Sequence, residues 1–410
     1  MTPAFGPSPI ASFWSGGFEG ADHINGWGDA LDMQRASGHL TRLDEDYHRA
    51  AASGLRTVRE SIGWRLCEPA GGRIDLGRVE LMAHCARSHG VQILWSLMHY
   101  GLPEDLSLHD DRLIERFARF AAEVARVLKP LSASAPVYTP VNEIGYLAWA
   151  ASQADLFAPP NNTAGDGPES SLISGYAIKR RLVRAALAAV DAIRAVDGRA
   201  RFMHVEPVCH VVAPLDQPQL AEQAERVRSW QWQAWDLLAG RAEPELGGSL
   251  AALDMLGINH YHSSQWEVGT EKRLLWHLRD PRRLPLGALL EETWLRYGRP
   301  LILAETSHVG AGRADWLNDM AAEVRRVRDE RGVPLWGFCL YPLIDRPDWN
   351  EPQRWHESGL WQVDPVSLCR SAVPAYLQAL QAWQEALPAA HAIRPATAVA
   401  SAATDARPGT

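Results

Sequence analysis

Two glutamates close short apolar runs: Glu143 ends PVYTPVNE (136–143) and Glu305 ends RPLILAE (299–305). Runs of this length, rich in Val, Ile and Leu and led in by Gly or Pro, predict buried strands. A carboxylate at the carboxyl end of such a strand stands where a parallel barrel presents its reactive groups. Two of them, on strands well separated in the chain, suit chemistry in which one carboxyl group attacks while another gives up a proton. Cleavage of a glycosidic bond is chemistry of that kind.

The elements needed to bring the two together are legible along the chain. Short apolar runs alternate with helical patterns, as in repeated β-α units around a parallel sheet. Strands are predicted at 12–19, 54–60, 91–97, 136–142, 200–206, 253–259, 301–305 and 333–342. Helices are predicted between them at 43–53, 76–89, 112–128, 174–196, 221–238 and 314–331. Eight strands in alternation complete a single (β/α)8 TIM barrel. That barrel is expected over 1–387, with a disordered Ala/Pro/Thr-rich tail over 388–410. A basic-acidic insertion, Glu271 to Arg283, is expected as a surface loop or short helix between strands six and seven.

Composition narrows the partner. With 410 residues, 46% apolar and 22% charged, the chain can bury a sizeable core. A net charge of −8 argues against nucleic acid or an anionic membrane, both of which reward clustered Lys and Arg. A small neutral glycoside or oligosaccharide fits better. Five scattered cysteines (Cys67, Cys85, Cys209, Cys339, Cys369) signal neither a disulfide framework nor a zinc site, and no cofactor or metal is expected. The opening MTPAFGPSPIASF has no basic segment and no apolar core of signal-peptide length, so a cytoplasmic location is expected. Most of the 17 tryptophans are expected in the core, but Trp349 and Trp355 fall on a loop after a strand, where an aromatic face can stack on a sugar ring.

Longer motifs sharpen this reading. RESIGW (59–64) is similar to R-F-S-I-S-W, and LMHYGLPEDL (97–106) to L-x-H-W-D-L-P-x-x-L. LGINHY (256–261) is similar to L-G-I-N-Y-Y. LYPLIDRPDW (340–349) followed by SGLWQVD (358–364) is similar to W-S-L-L-D-N-F-E-W followed by F-G-L-V-Y-V-D. In this order the motifs resemble glycoside hydrolase family 1, the β-glucosidase type, within the clan of retaining (β/α)8-barrel glycosidases. The resemblance covers Phe13 to about Asp364.

The resemblance implies Glu143 as acid/base and Glu305 as nucleophile, with Arg59 holding Glu305 anionic and Tyr261 bonded to it. It also implies that Asn142 donates to the sugar 2-hydroxyl and His99 contacts the hydroxyl at carbon 3, while Tyr341, Asp348 and Trp349 stand where the family has its sugar platform and hydroxyl-recognising carboxylate. The family's strand-one glutamine is replaced here by Glu19, which accepts but cannot donate. Further departures are Ile144 after Asn-Glu, Tyr341 for Trp, and Thr306-Ser307 for Asn-Gly. The donor sugar is therefore expected to differ from glucose or galactose. Glu206 has no counterpart in these motifs and reads as a structural partner for an arginine. A transglycosidase using the same two carboxylates, or a sugar-binding barrel without turnover, are the alternatives to hydrolysis.

Overall fold

In a computed structural model of the chain, the structure describes residues 5–69, 72–152, 157, 168–270 and 272–388. Eight strands form a closed barrel: β1 Trp14–Gly17, β2 Thr57–Ser61, β3 Gln92–Met98, β4 Val137–Val141, β5 Arg201–Pro207, β6 Met255–Asn259, β7 Leu301–Thr306 and β8 Leu335–Leu340. Every pair around the barrel is parallel, and β1 closes it against β8 with Trp14 opposite Phe338 and Gly16 opposite Leu340. The fold is a single (β/α)8 barrel. Each predicted strand is present, mostly shorter at its ends than the apolar run that signalled it. Glu19 thus lies beyond the end of β1, on the loop that follows it.

Glycines admit bulk at the closure. A Cβ on Gly16 would stand 2.3 Å from Leu343 Cγ, and one on Gly17 would stand 2.4 Å from the Tyr341 ring. Bare backbone on β1 therefore seats the two side chains that follow β8.

The helices used below are α1 Leu43–Ala52, α2 Gly77–Ser88, α3 Arg112–Leu128, α4 Ile144–Ser152 and α5 Pro168–Val196. On α3, Leu113, Phe117, Phe120, Ala121, Val124 and Leu128 recur at helical spacing and are buried, which fixes the face it turns to the barrel. The helix predicted over 221–238 is broken by a 3₁₀ turn at Trp230–Trp232. There Gln231 accepts the Cys209 N–H and donates to Arg228 O, a tertiary contact that overrides the local pattern. The described part of the 271–283 insertion holds a 3₁₀ turn at Trp276–Leu278, tied down by Arg282 on Glu267 and Asp280. A closing helix, Pro374–Ala386, lies beyond the predicted elements, and Trp14 Nε1 donates to Leu387 O just after it. The tail expected from 388 lies, from 389 on, outside the described residues. Among the described residues no helix is long and apolar enough to cross a membrane.

Alternation along β2 connects core to site. Arg59 and Ser61 point into the barrel, whereas Glu60 points out into a buried polar network. Glu60 accepts from Tyr47 OH (2.8 Å) and Gln34 Nε2 (2.7 Å), and it pairs with His39 Nε2 (2.8 Å). His39 Nδ1 pairs in turn with Asp46 Oδ2 at 2.8 Å, and Arg370 grips both oxygens of Asp46 at 2.9 Å. Burial disfavours a charged imidazole, but Glu60 and Asp46 outweigh it and hold His39 up at about 9. Removing one partner from such a network strands a buried charge. Arg370→Ala is expected to lower the unfolding free energy by about 3–5 kcal/mol in urea titration. A loss under about 1 kcal/mol would show that Asp46 finds another partner at little cost.

Candidate active site

The carboxyl ends of β2, β3, β4, β6, β7 and β8 converge on one polar cluster. Glu143 directly follows β4 and Asn142, with its backbone in the left-handed region at φ 48°. Its N–H donates to Val205 O on β5 at 3.0 Å, and its C=O accepts from Leu147 N–H at 2.9 Å, so the residue opens α4. A non-glycine residue held in this conformation needs fixed surroundings. The carboxyl group has them: Tyr100 OH donates to Oε2 at 2.7 Å and Asn259 Nδ2 to Oε1 at 2.8 Å.

Glu305 sits on β7, where its backbone registers with that of Asn259 on β6. Arg59 Nη1 donates to Oε1 at 2.8 Å and Tyr261 OH to Oε2 at 2.6 Å. The side chains of this ion pair are 2% and 6% exposed, so water screens it little. Arg59 is a junction as well as a counter-charge: Nη1 also donates to Ala304 O at 3.0 Å, and Nη2 to Asn142 Oδ1 at 3.0 Å. Asn142 Nδ2 then donates to His99 Nε2 at 3.2 Å, which leaves the His99 Nδ1 proton for Ser61 Oγ at 2.8 Å. Burial lowers His99 to about 4, against the pull of Glu305, so this imidazole is neutral and its tautomer is set by its neighbours.

The two carboxyl groups are electrostatically unlike. Burial, and then the charge of Glu305, push Glu143 up to about 7. Glu305 instead faces a permanently charged guanidinium and a phenol. One group is placed to hold a proton near neutrality beside another that is ion-paired, which is the division of labour acid and nucleophile require.

Around this pair the structure distributes the remaining sequence candidates unevenly. Tyr341 follows β8, buried, with the Arg59 guanidinium 5.5 Å above its ring. Trp349 faces His23 at 5.0 Å and Tyr100 at 5.8 Å between ring centroids. Among the described residues its buried Nε1, both ring nitrogens of His23 and Oδ1 of Asn259 have no hydrogen-bond partner. Such groups are costly to leave unpaired. Clustered at a barrel mouth, they are what a polyhydroxylated ligand would satisfy.

Two candidates are engaged elsewhere. Asp348 turns into its own loop, with Oδ2 on His356 Nε2 at 2.6 Å and Oδ1 accepting from the N–H groups of Asn350 and Glu351. Glu19 accepts the Ala21 N–H at 3.0 Å through Oε1 and pairs with Arg346 Nε at 3.1 Å through Oε2. Sequence reasoning singled out neither Tyr100 nor Asn259 as a bonding partner of Glu143, nor Arg346 as the partner of Glu19. Tyr100 is a non-glycine residue at φ 83°, a feature the sequence does not display. Among the described residues, the group with metal-ligand spacing is Asp44, Cys85 and His89, in the outer helical layer at α1 and α2 rather than at this cluster.

Comparison with known proteins agrees with the barrel fold. The model of the family described as glycosyl hydrolase family 1 matches residues 21–241. Among solved structures, a β-glycosidase from Thermosphaera aggregans superposes with a TM-score of 0.72 at 17% identity, covering 93% of this chain and 97% of that one. The AHE enzyme from Alicyclobacillus herbarius gives 0.71 at 18% identity, covering 93% and 100%. A β-glucosidase from Thermotoga maritima in complex with castanospermine gives 0.69 at 15% identity, covering 90% and 96%. Among curated proteins no sequence matches.

The electrostatic coupling is open to a direct check. With [δ-13C]glutamate labelling, the Glu143 carboxyl resonance should titrate near pH 7, and Glu305→Gln should move that midpoint down by removing a neighbouring negative charge. An unmoved midpoint would mean that burial alone sets it.

Proposed function

The chain belongs to glycosyl hydrolase family 1, and on that premise we propose that it hydrolyses a β-linked glycoside with retention of configuration, Glu305 acting as nucleophile and Glu143 as acid/base. The observation that carries the reading is the contrast between the two carboxyl groups: one ion-paired to Arg59, the other raised to about 7 beside it. A glycoside hydrolase needs both states in one pocket at once.

Glu305 attacks the anomeric carbon as the glycosidic C–O bond breaks, and the Glu143 proton passes to the departing oxygen. Charge on Glu305 is then consumed in the glycosyl ester, so the part of the rise in Glu143 that came from that charge disappears. Glu143, now a carboxylate, takes a proton from water as that water attacks the same carbon and releases Glu305. The two inversions give net retention. Tyr100 and Asn259 hold Glu143 on line, and Tyr261 and Arg59 accept the changing charge on Glu305. Asn142 and His99, bonded to each other in the free site, exchange that bond for sugar hydroxyls, with Tyr341 and Trp349 as the platform. No step draws on a metal or organic cofactor. The five described cysteines are free thiols, which suits a reducing compartment, and a cytoplasmic location goes with this reading.

At the edge of the donor site the Glu19–Arg346 pair supplies what a single amide would supply elsewhere: an acceptor and a set of donors on one rigid unit. We assign sugar selectivity to that pair. The sugar itself is to be found by screening aryl β-glycosides.

Two outcomes test these roles. Glu305→Ala should abolish turnover, and added azide should restore it with product of inverted configuration by polarimetry or proton NMR; rescue with retention would remove Glu305 from the role. Glu19→Gln, which breaks the charged pair with Arg346, should lower kcat/KM on the preferred substrate by about ten- to hundredfold and reorder a panel of β-glycosides. Unchanged rates and ranking would make the pair purely structural.

A further inference from the structure

Glu206 is buried at the carboxyl end of β5, and no part of the mechanism above uses it. Among the described residues no arginine pairs with it, contrary to the sequence expectation. Its Oε2 instead accepts the N–H of Gly145 at 2.9 Å. Gly145 lies in the first turn of α4, two residues beyond Glu143, and a Cβ there would stand 2.6 Å from the same oxygen. The first N–H groups of a helix have no partner within it, and a side chain usually supplies one from the residue just before. Here that residue is Glu143, whose carboxyl group is turned the other way, to Tyr100 and Asn259. Glu206 provides the missing acceptor from the neighbouring strand.

We propose that Glu206 is a positioning residue for the acid/base: by capping α4 in place of Glu143, it fixes the left-handed backbone from which Glu143 reaches the glycosidic oxygen. The proposal rests on the role given to Glu143 above. Two bonds from β5 frame that backbone, one to the N–H of Glu143 from Val205 O and one to the N–H of Gly145 from Glu206. Without the second, Val205 O alone ties this backbone to β5, and the strained φ of 48° is freer to relax.

The charge state of Glu206 suits this task. Facing it are the backbone of α4, Lys179 from α5 and Glu143 itself. Lys179 is buried as well, with Nζ donating to Gln233 Oε1 at 2.7 Å, and burial lowers its pKa. The titratable side chain that α4 itself carries is Tyr146, a phenol that burial keeps neutral. The 233–238 helix carries Asp236, which is committed to Arg296 and Tyr297. Burial pushes Glu206 up to about 8, so near neutrality it is mainly a neutral carboxyl group whose carbonyl oxygen still accepts the Gly145 proton. It therefore holds the acid without placing a second full charge beside it, and a glutamine should do the same.

The test uses the leaving group as the reporter of proton donation. Wild type, Glu206→Gln and Glu206→Ala are assayed on an alkyl β-glycoside and on a 2,4-dinitrophenyl β-glycoside of the same sugar, with folding checked by circular dichroism. Glu206→Ala should lose about thirtyfold or more in kcat/KM on the alkyl substrate but less than about threefold on the activated one, which needs little protonation. Glu206→Gln should stay within about threefold of wild type on both. If Glu206→Ala does not fold, Gly145→Ala, which drives a methyl group against Oε2, should show the same split. Equal losses on both substrates, or a glutamine variant as impaired as the alanine one, would overturn the proposal while leaving the hydrolase reading intact. A wild-type protein inert on both would overturn that reading and the proposal with it.

Discussion

Arg59 is the residue whose removal would leave the site without organisation. A guanidinium is always charged, and one buried among barrel strands is tolerable only if its hydrogen bonds are spent on acceptors placed for it. Three strands supply them: Glu305 and Ala304 from β7, Asn142 from the end of β4 and Ser96 Oγ from β3. The same bonds that satisfy Arg59 orient Asn142, and through it His99, while giving Glu305 its counter-charge. A charge the protein must neutralise is thereby made to align both the proposed nucleophile and the Asn142–His99 row proposed to meet the sugar. The raised Glu143 is the other face of this arrangement, since burial and then the charge of Glu305 disfavour its ionisation and only neutral donors face it.

The barrel makes such an arrangement possible because every strand runs in the same direction. Residues at strand ends that are distant in the chain meet at one mouth, with registers fixed by the ladder: Asn259 opposite Glu305, Arg59 opposite Leu94. Outside the barrel, the His39–Asp46–Glu60–Arg370 network anchors the outward side of β2 to α1 and to the chain near residue 370. β2 is therefore locked from behind at the residue next to Arg59. Rigid support of this kind is what holds a reactive constellation within the small tolerances that catalysis allows.

Much of this was legible in the sequence, for identifiable reasons. Val, Ile and Leu runs with period-free hydrophobicity announced the buried parallel strands, and Glu143 and Glu305 announced themselves by closing two of them. What stayed hidden depends on contacts between distant segments or on backbone conformations without a residue signature. Tyr100 reaches Glu143 because its φ is 83°, yet it is a tyrosine rather than the glycine that would have flagged the turn. Glu19 and Arg346 sit on loops at opposite ends of the chain, and nothing local couples them. Asp348 kept the sequence position of a sugar-binding carboxylate, but the nearby His356 and two backbone N–H groups took its oxygens. The broken helix at Trp230–Trp232 has the same origin, a tertiary bond to Cys209 that local propensity does not contain.

The proposed reaction stands or falls on Glu305, held by Arg59 and Tyr261, forming a covalent bond to the sugar. Incubation with a 2-deoxy-2-fluoro β-glycoside bearing a dinitrophenyl leaving group, followed by intact-mass and peptide mass spectrometry, addresses it directly. The fluorine slows both steps and the activated leaving group favours the first, so a glycosyl-enzyme should accumulate. The account predicts a protein heavier by one fluoroglycosyl group, with the label on the peptide containing Glu305 and reactivation on adding an acceptor. Turnover without any adduct, or a label carried by another residue, would contradict it.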